Sequence, residues 1–372
     1  MNITEPLFDD AELELVRRCL QSKWVTQGPL TAEFERLFGA RHDVTHALAT
    51  TSCTAALHLA TMALGLKPGD EVVVPAFTWV TSAHAAEYVG AKAVFADVDL
   101  ATFNIDPARL QQAITPRTKA VVAVHLFGKA APMDAILALA KQHGLAVIED
   151  AACAVGTTYN GRLVGALGDV GCFSLHPRKV ITTGEGGVVT TNRADLAVLI
   201  KSIRNHGSTG IAPGADPSRP YTMSTFDNLG FNLRLSDIQS AIGIAQMAKL
   251  DALLAERRRI ALRYTELLES TSGLVCPADD AGHTYQSYVI RVVAGRAARN
   301  RLMDALSERQ IQTRPGTHAV HRLGYYVNKY KLSPAQFPNA CAAEDTTITL
   351  PIFPGMTAAQ QDCVVAAVTA AL

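Results

Sequence analysis

CFSLHPRKVITTGEGGVVTTN (172–192) sets one lysine, Lys179, between an apolar run that ends near Ser174 and a Gly-rich return into a second apolar run. The glycines of TTGEGG let backbone pass close to a ligand. Apolar flanks would desolvate the amine and leave more of it nucleophilic. Upstream, Asp150 closes the apolar run LAVIED (145–150), and ligands of open α/β sheets sit beyond the carboxyl ends of such strands. Alone, Asp150 is as readily a helix cap and Lys179 a solvated surface lysine. Ser174, Lys179 and the glycine cluster arriving together favour a site, with Ser174 a candidate phosphate ligand.

Outward from this stretch, short β-branched runs alternate with helical patterns. Strands are expected at EVVVPA (71–76), KAVFADV (92–98), AVVAVHLFG (120–128), LAVIED (145–150), DVGCFSL (169–175) and GGVVTTN (186–192). Runs apolar on both faces belong in a covered, mostly parallel sheet. Helices are expected at SAHAAEYVG (82–90) and at PMDAILALAKQHG (132–144), whose final glycine suits a helix end. The result is an α/β domain over 1–245, with 1–25 an outlying N-terminal segment that includes a helix at 8–22. From Ser236 a long helical pattern runs to residue 270, and 246–372 reads as a smaller C-terminal α+β domain with a strand at QSYVIRVVA (286–294). TGIAPGADPSRPYTMST (209–225) reads as a loop.

Composition narrows the partners. The chain has 372 residues, 48% of them hydrophobic, with 34 basic and 34 acidic side chains, so it can bury a large core and carries no net field for nucleic acid or an anionic membrane. Its seven cysteines form no CxxC pair, which fits reduced thiols and gives no metal-ligand spacing. An acidic N-terminal segment without a long apolar run reads as neither signal peptide nor membrane span, so a cytoplasmic location is expected.

A buried amine able to attack an aldehyde and an acid able to keep a ring nitrogen protonated are the two protein groups that pyridoxal phosphate (PLP) chemistry most needs. Two other segments fit such a ligand. In ALATTSCTAALHLATMAL (47–64) a strand turns into a helix at Cys53 and Thr54, whose N–H groups and hydroxyl would meet an anion. Trp79 lies just past EVVVPA and could stack on a flat ring, or pack as a core aromatic.

In their order, TSCTAALHLA, PAFTWVTSA, VIEDAACAVGTTYNGRLVG, CFSLHPRKVITTGEGGVVTTN, IRNHG and LGFNLRLSDIQSAIGIAQ resemble the DegT/DnrJ/EryC1/StrS aminotransferases, from about residue 23 to 356. The resemblance implies a fold-type I PLP enzyme acting on nucleotide-linked keto-sugars with an amino-acid donor, glutamate by analogy, and a homodimer. By motif, Lys179 would join the cofactor aldehyde, Asp150 pair with the ring nitrogen, and Trp79 stack on the ring. Cys53, Thr54 and Ser174 would hold the phosphate together with Asn232 from the other subunit. Cys153 stands where the family commonly has Gln, and its weakly donating thiol makes it a neighbour of the ring. One relative carries His at the lysine position and dehydrates its sugar; KVITTGEGG fixes the register on Lys179 rather than His176 and favours transamination. A dehydratase or a non-catalytic PLP-bound sensor is the alternative. His318, Arg234 and His206, together with Arg204 and His321, are candidates for contact with the sugar diphosphate or the donor carboxylate, each as readily a structural group, with His318 the first choice.

Overall fold

Strands apolar on both faces can be covered only from both sides, and the chain builds that arrangement. The computed structural model describes residues 1–372. Its main sheet contains β1 (His46–Thr50), β2 (Glu71–Pro75), β3 (Lys92–Ala96), β4 (Thr118–Val124), β5 (Ala146–Asp150), β6 (Val170–Ser174) and β7 (Gly187–Thr191), in the spatial order β1-β7-β6-β5-β4-β2-β3. Only β7 runs against the others. The carboxyl ends of β1, β4, β5 and β6 and the amino end of β7 therefore share one edge, which carries Thr50, Val124, Asp150, Ser174 and Gly187.

Alternation along the strands divides the core. Val72, Val74, Val122 and Ile148 pack with Leu57, Leu59 and Ala60 of the helix Cys53–Ala63 on one face. Val73, Val121 and Val147 pack with Ile136 and Ala140 of the helix Met133–His143 on the other. Each valine, leucine or isoleucine among them, fully buried, contributes about 1.5–3 kcal/mol relative to exposure. The helix at 133–143 ends, as its sequence suggests, on Gly144 in the left-handed conformation.

AVVAVHLFG does not stay extended to its end. The strand stops at Val124, and Leu126–Gly128 forms a 3-10 turn with Phe127 at φ 60°, while its ring packs on Phe77 and Phe103. The stretch 209–225 is not wholly a loop either: Ser208–Ile211 pairs with Ser224–Phe226 across a bulge.

The long helix Asp237–Leu268 begins with a Ser236/Gln239 capping box and runs unbroken through position 245. At one end its Asp237 carboxylate accepts N–H bonds from Gly28, Leu30 and Thr31 and so caps the helix Pro29–His42. At the other end Tyr264 and Leu268 join Tyr288, Ile290, Leu302, Ile348 and Leu350 in a second apolar core beside the sheet of Leu274–Val275, Tyr288–Val292 and Thr347–Leu350. Residues 1–3 reach this second unit through Gln312 N–H on Met1 O and Ile352 N–H on Ile3 O. The chain then returns to the first: His318–Ala319 pairs with Phe77–Thr78, and Tyr326, Phe337, Ala340 and Ala343 enter the main core. No helix is long and apolar enough to cross a membrane.

Candidate active site

A cavity of about 420 Å³ opens at the carboxyl edge of the sheet, between the main core and the returning segment 314–317. Its lining takes Ser52, Cys53 and Thr54 after β1, Trp79 after β2, Asp150, Ala152 and Cys153 after β5, and Ser174, His176, Arg178 and Lys179 after β6. The sequence candidates Lys179, Asp150, Trp79, Cys53, Thr54, Ser174 and Cys153 thus share one cavity.

Asp150 reaches it because residues 149 and 150 point to opposite faces of β5. It is 4% exposed. Oδ2 accepts from Ser82 Oγ at 2.6 Å, Ser82 lies 3.0 Å from Thr78 Oγ1, and Oδ1 accepts from Ala152 N–H at 3.1 Å. No cation of the chain pairs with it. A buried carboxylate held only by neutral donors is costly unless a positive group completes it, and a protonated ring nitrogen is such a group.

Lys179 sits in a turn closed by its own N–H on His176 O at 2.8 Å, and by Thr183 N–H and Thr182 Oγ1 on Leu175 O. Val180 and Ile181, next in sequence, are buried in the core, which leaves the Lys179 amine on the cavity side. From the long helix, Gln239 donates to Glu185 O and Gln246 accepts from Thr182 N–H, bracing the loop. Nζ has one protein partner, Cys153 Sγ at 3.1 Å. His176, two residues past β6, is lowered in pKa by burial, and its Nδ1 accepts from Arg178 N–H at 3.2 Å.

Ser52 caps the helix Cys53–Ala63 by accepting from Ala55 N–H at 3.1 Å, which leaves the Cys53 and Thr54 N–H groups at the positive end of the helix. The Cys53 thiol is buried in the core, and burial pushes its pKa well up, so this residue offers the cavity its backbone. Gly187 makes the approach possible: a Cβ there would lie 2.5 Å from Ser52 C and 2.6 Å from Cys53 N. The Ser174 hydroxyl accepts a long bond from His176 N–H and otherwise faces the cavity. An uncompensated buried acid, an amine beside a thiol and a helix N-terminus with free donors fit the ring nitrogen, aldehyde and phosphate of PLP respectively.

The remaining candidates lie outside the lining. His318 stands at the rim, its ring 5.6 Å from that of Trp79, which is 55% exposed. His206, with φ 59°, donates its N–H to Phe231 O; Asn232 is exposed and bridges Asn205; Arg234 donates to Asn205 Oδ1 and bridges Thr50. These three form one surface group on the same chain. Arg204 is buried and committed to Glu35 and Ala49 O, each at 2.6 Å, and His321 is buried against Cys341 Sγ.

Sequence reasoning missed Ser82, Arg314 and the pair His125–Glu149. Glu149 accepts from His125 Nε2 at 3.0 Å and from the N–H groups of Gly165, Leu167 and Gly168 at 2.8, 2.7 and 2.6 Å. Burial alone would push its carboxyl up, but the hydrogen bonds from His125 and the Gly165 and Gly168 amides outweigh it and hold the carboxyl low. Ala131 N–H donates to His125 Nδ1, so the imidazole is neutral with its proton on Nε2. An ionisable residue at the end of an apolar run, as in VVAVH, was the one available signal.

The sheet order, the buried acid and the lysine turn define a PLP-dependent transferase of α/β architecture with a mostly parallel central sheet. Residues 6–369 match the model of the DegT/DnrJ/EryC1/StrS aminotransferase family, and the chain belongs to that family: it is a PLP-dependent sugar aminotransferase. It is 40% identical over 368 residues to the spore coat polysaccharide biosynthesis protein SpsC of Bacillus subtilis, covering 98% of this chain and 95% of SpsC. It is 39% identical over 372 residues to GDP-perosamine synthase of Caulobacter vibrioides, covering 99% and 97%. Among solved structures, Spr1654 of Streptococcus pneumoniae in its PMP form, a proposed sugar aminotransferase, superposes with a TM-score of 0.95 at 26% identity, covering 100% of this chain and 98% of that one.

Proposed function

We propose that the chain moves an amino group from L-glutamate to the keto group of a nucleotide-linked sugar bound for a surface polysaccharide. The observation that carries this reading is the Asp150–Lys179 arrangement in one cavity, an acid lacking a cation and an amine whose sole partner is a thiol. The names of SpsC and GDP-perosamine synthase support the polysaccharide and nucleotide-sugar parts.

PLP, when bound, supplies an electron sink for the carbon that bears the amino group. Asp150 keeps the ring nitrogen protonated, with Ser82 holding the carboxylate in place. The Cys53 and Thr54 amides, the Thr54 hydroxyl and Ser174 hold the phosphate. Trp79 covers the ring, and Cys153 sets the resting position of the Lys179 amine. Lys179 would move a proton from the donor Cα to the cofactor carbon in the first half, and in the second would move one back from that carbon to the sugar carbon that comes to bear the amine. The donor leaves as its keto acid before the sugar binds, so parallel double-reciprocal plots are expected; intersecting plots with no product from donor alone would contradict the order.

Asn232 completes the phosphate site of a second copy. Its exposure supports this, as do the exposed apolar neighbours Met223, Phe226 and Leu229 at 79, 59 and 84%. Mixing inactive Lys179→Ala with Asn232→Asp variants should restore about a quarter of wild-type activity, because half the random dimers would hold one intact site. No recovery in a protein shown to exchange subunits would refute the shared site.

A further inference from the structure

We infer that Arg314 is the anchor for a carboxylate of the amino donor, and so a specificity-determining residue of the site. The inference rests on the reading that the donor is an amino acid of the glutamate type.

The segment that carries Arg314 is held tightly. Thr349 N–H donates to Arg314 O at 2.8 Å, Gly316 N–H donates to Thr347 Oγ1 at 3.1 Å, and His318 pairs with Thr78. Arg314 is half-buried and lines the cavity together with Cys153 and Arg178. Its guanidinium nonetheless makes no hydrogen bond and no ion pair within the chain. Four other withdrawn arginines are paired: Arg204 is bound to Glu35, Arg257 to Gln286 O, Arg299 to Glu344 O and Thr347 O, and Arg322 to Glu344 and Asp345; Arg291, on the strand Tyr288–Val292, also lacks a partner but does not line the cavity. Burial lowers the pKa of Arg314, as expected of a cation withdrawn from water without a counter-ion.

The charges of the cavity favour a carboxylate. The cations are Arg178, Lys179 and Arg314; the acids are Asp150, held by Ser82 and Ala152, and Glu185. The helix N-terminus beside Ser174 takes one anion, the cofactor phosphate. Arg314 comes from a different segment, the one leading to residues 318–319, and is left for a second anion. A planar fork of N–H donors matches a carboxylate in two parallel bonds, which would fix the donor Cα relative to Lys179. Arg178 is exposed and serves as the comparison.

The test uses the holoenzyme and the variants Arg314→Met, Arg314→Lys and Arg178→Ala. For each, the KM for L-glutamate, the KM for the keto-sugar, the calorimetric Kd of 2-oxoglutarate and the PLP affinity of the stripped protein are measured. For Arg314→Met, glutamate KM and 2-oxoglutarate Kd should rise roughly 30- to 100-fold, the loss of a charge-assisted pair. Sugar KM and PLP affinity should stay within about twofold. Arg314→Lys should recover part of the loss, which a change in folding alone would not predict, and Arg178→Ala should fall well short of it. Glutamate and 2-oxoglutarate binding unchanged in Arg314→Met would overturn the inference alone. So would a loss that falls on sugar KM or on PLP affinity, which would assign the guanidinium to a phosphate. A wild-type protein that accepts no dicarboxylic amino donor would overturn the donor reading, and the inference with it.

Discussion

Glu149 and Asp150 are adjacent buried carboxylates on one strand, and the protein treats them in opposite ways. Glu149, on one face of the sheet, receives four donors from its own chain: one imidazole and three amides. Asp150, on the other, receives a hydroxyl and one amide and no cation. The first is complete without any ligand and organises the turn 165–168 that supports β6. The second is complete only when a cation from outside the chain arrives. In the function proposed, chemistry at this site depends on leaving one acid unsatisfied while its neighbour takes up the structural work.

The sharpest separation of chemistry from stability should come from Lys179→Ala. Turnover should fall roughly 10⁴-fold with the melting temperature unchanged, because the amine bonds only a thiol. Parallel rate measurements and thermal melts check this, and a large loss of stability would show that the amine is structural. Glu149→Gln comes next and should act on the fold. Losing hydrogen bonds to a buried carboxylate costs about 1.5–3 kcal/mol, to be read from urea unfolding of the cofactor-free protein. Its pH dependence has a definite sign. The carboxyl titrates below its ordinary 4.5 in the fold, so its contribution is complete above that pH and is lost as the pH falls through the lower folded value. Wild type should therefore lose stability more steeply than Glu149→Gln on acidification below about pH 4.5.

Asp150→Asn should show the reverse pattern, with kcat down roughly 10²- to 10³-fold and unfolding free energy in the cofactor-free protein within about 1 kcal/mol of wild type. If Glu149→Gln and Asp150→Asn destabilised the fold equally, the contrast between the two acids would be broken. Cys153→Ser should be the mildest, with kcat within about threefold, since a hydroxyl can take the place of the thiol as acceptor from Lys179.

Much of this was legible in the sequence for identifiable reasons. The central strands could be read because both their faces are covered and their runs are continuously apolar; the helix ending at Gly144 and the capping box at Ser236 carry local signals that the structure keeps. Lys179, Asp150, Ser174 and the turn at Cys53 could be placed together because each follows a strand of one sheet, and a parallel sheet gathers such ends on one edge. What could not be read depends on distant partners. Nothing local to 318–319 says that it pairs with 77–78, nor that Ser208–Ile211 finds Ser224–Phe226 across a Gly- and Pro-rich stretch. Arg314 looks like any arginine before a proline until the absence of an acid beside it is visible. The turn at Phe127 lies inside an apolar run whose end is set by the bonds of His125 to Glu149 and Ala131, not by any turn residue.

The absorption spectrum of the purified protein, with and without excess L-glutamate, tests most directly whether Lys179 and Asp150 form one site with PLP. Wild type should show a visible band that fades when glutamate is added and returns with the keto-sugar, Lys179→Ala should show no such band, and Asp150→Asn should respond much more slowly. A protein that stays colourless when supplied with PLP, or a band that no amino donor alters, would contradict this assignment.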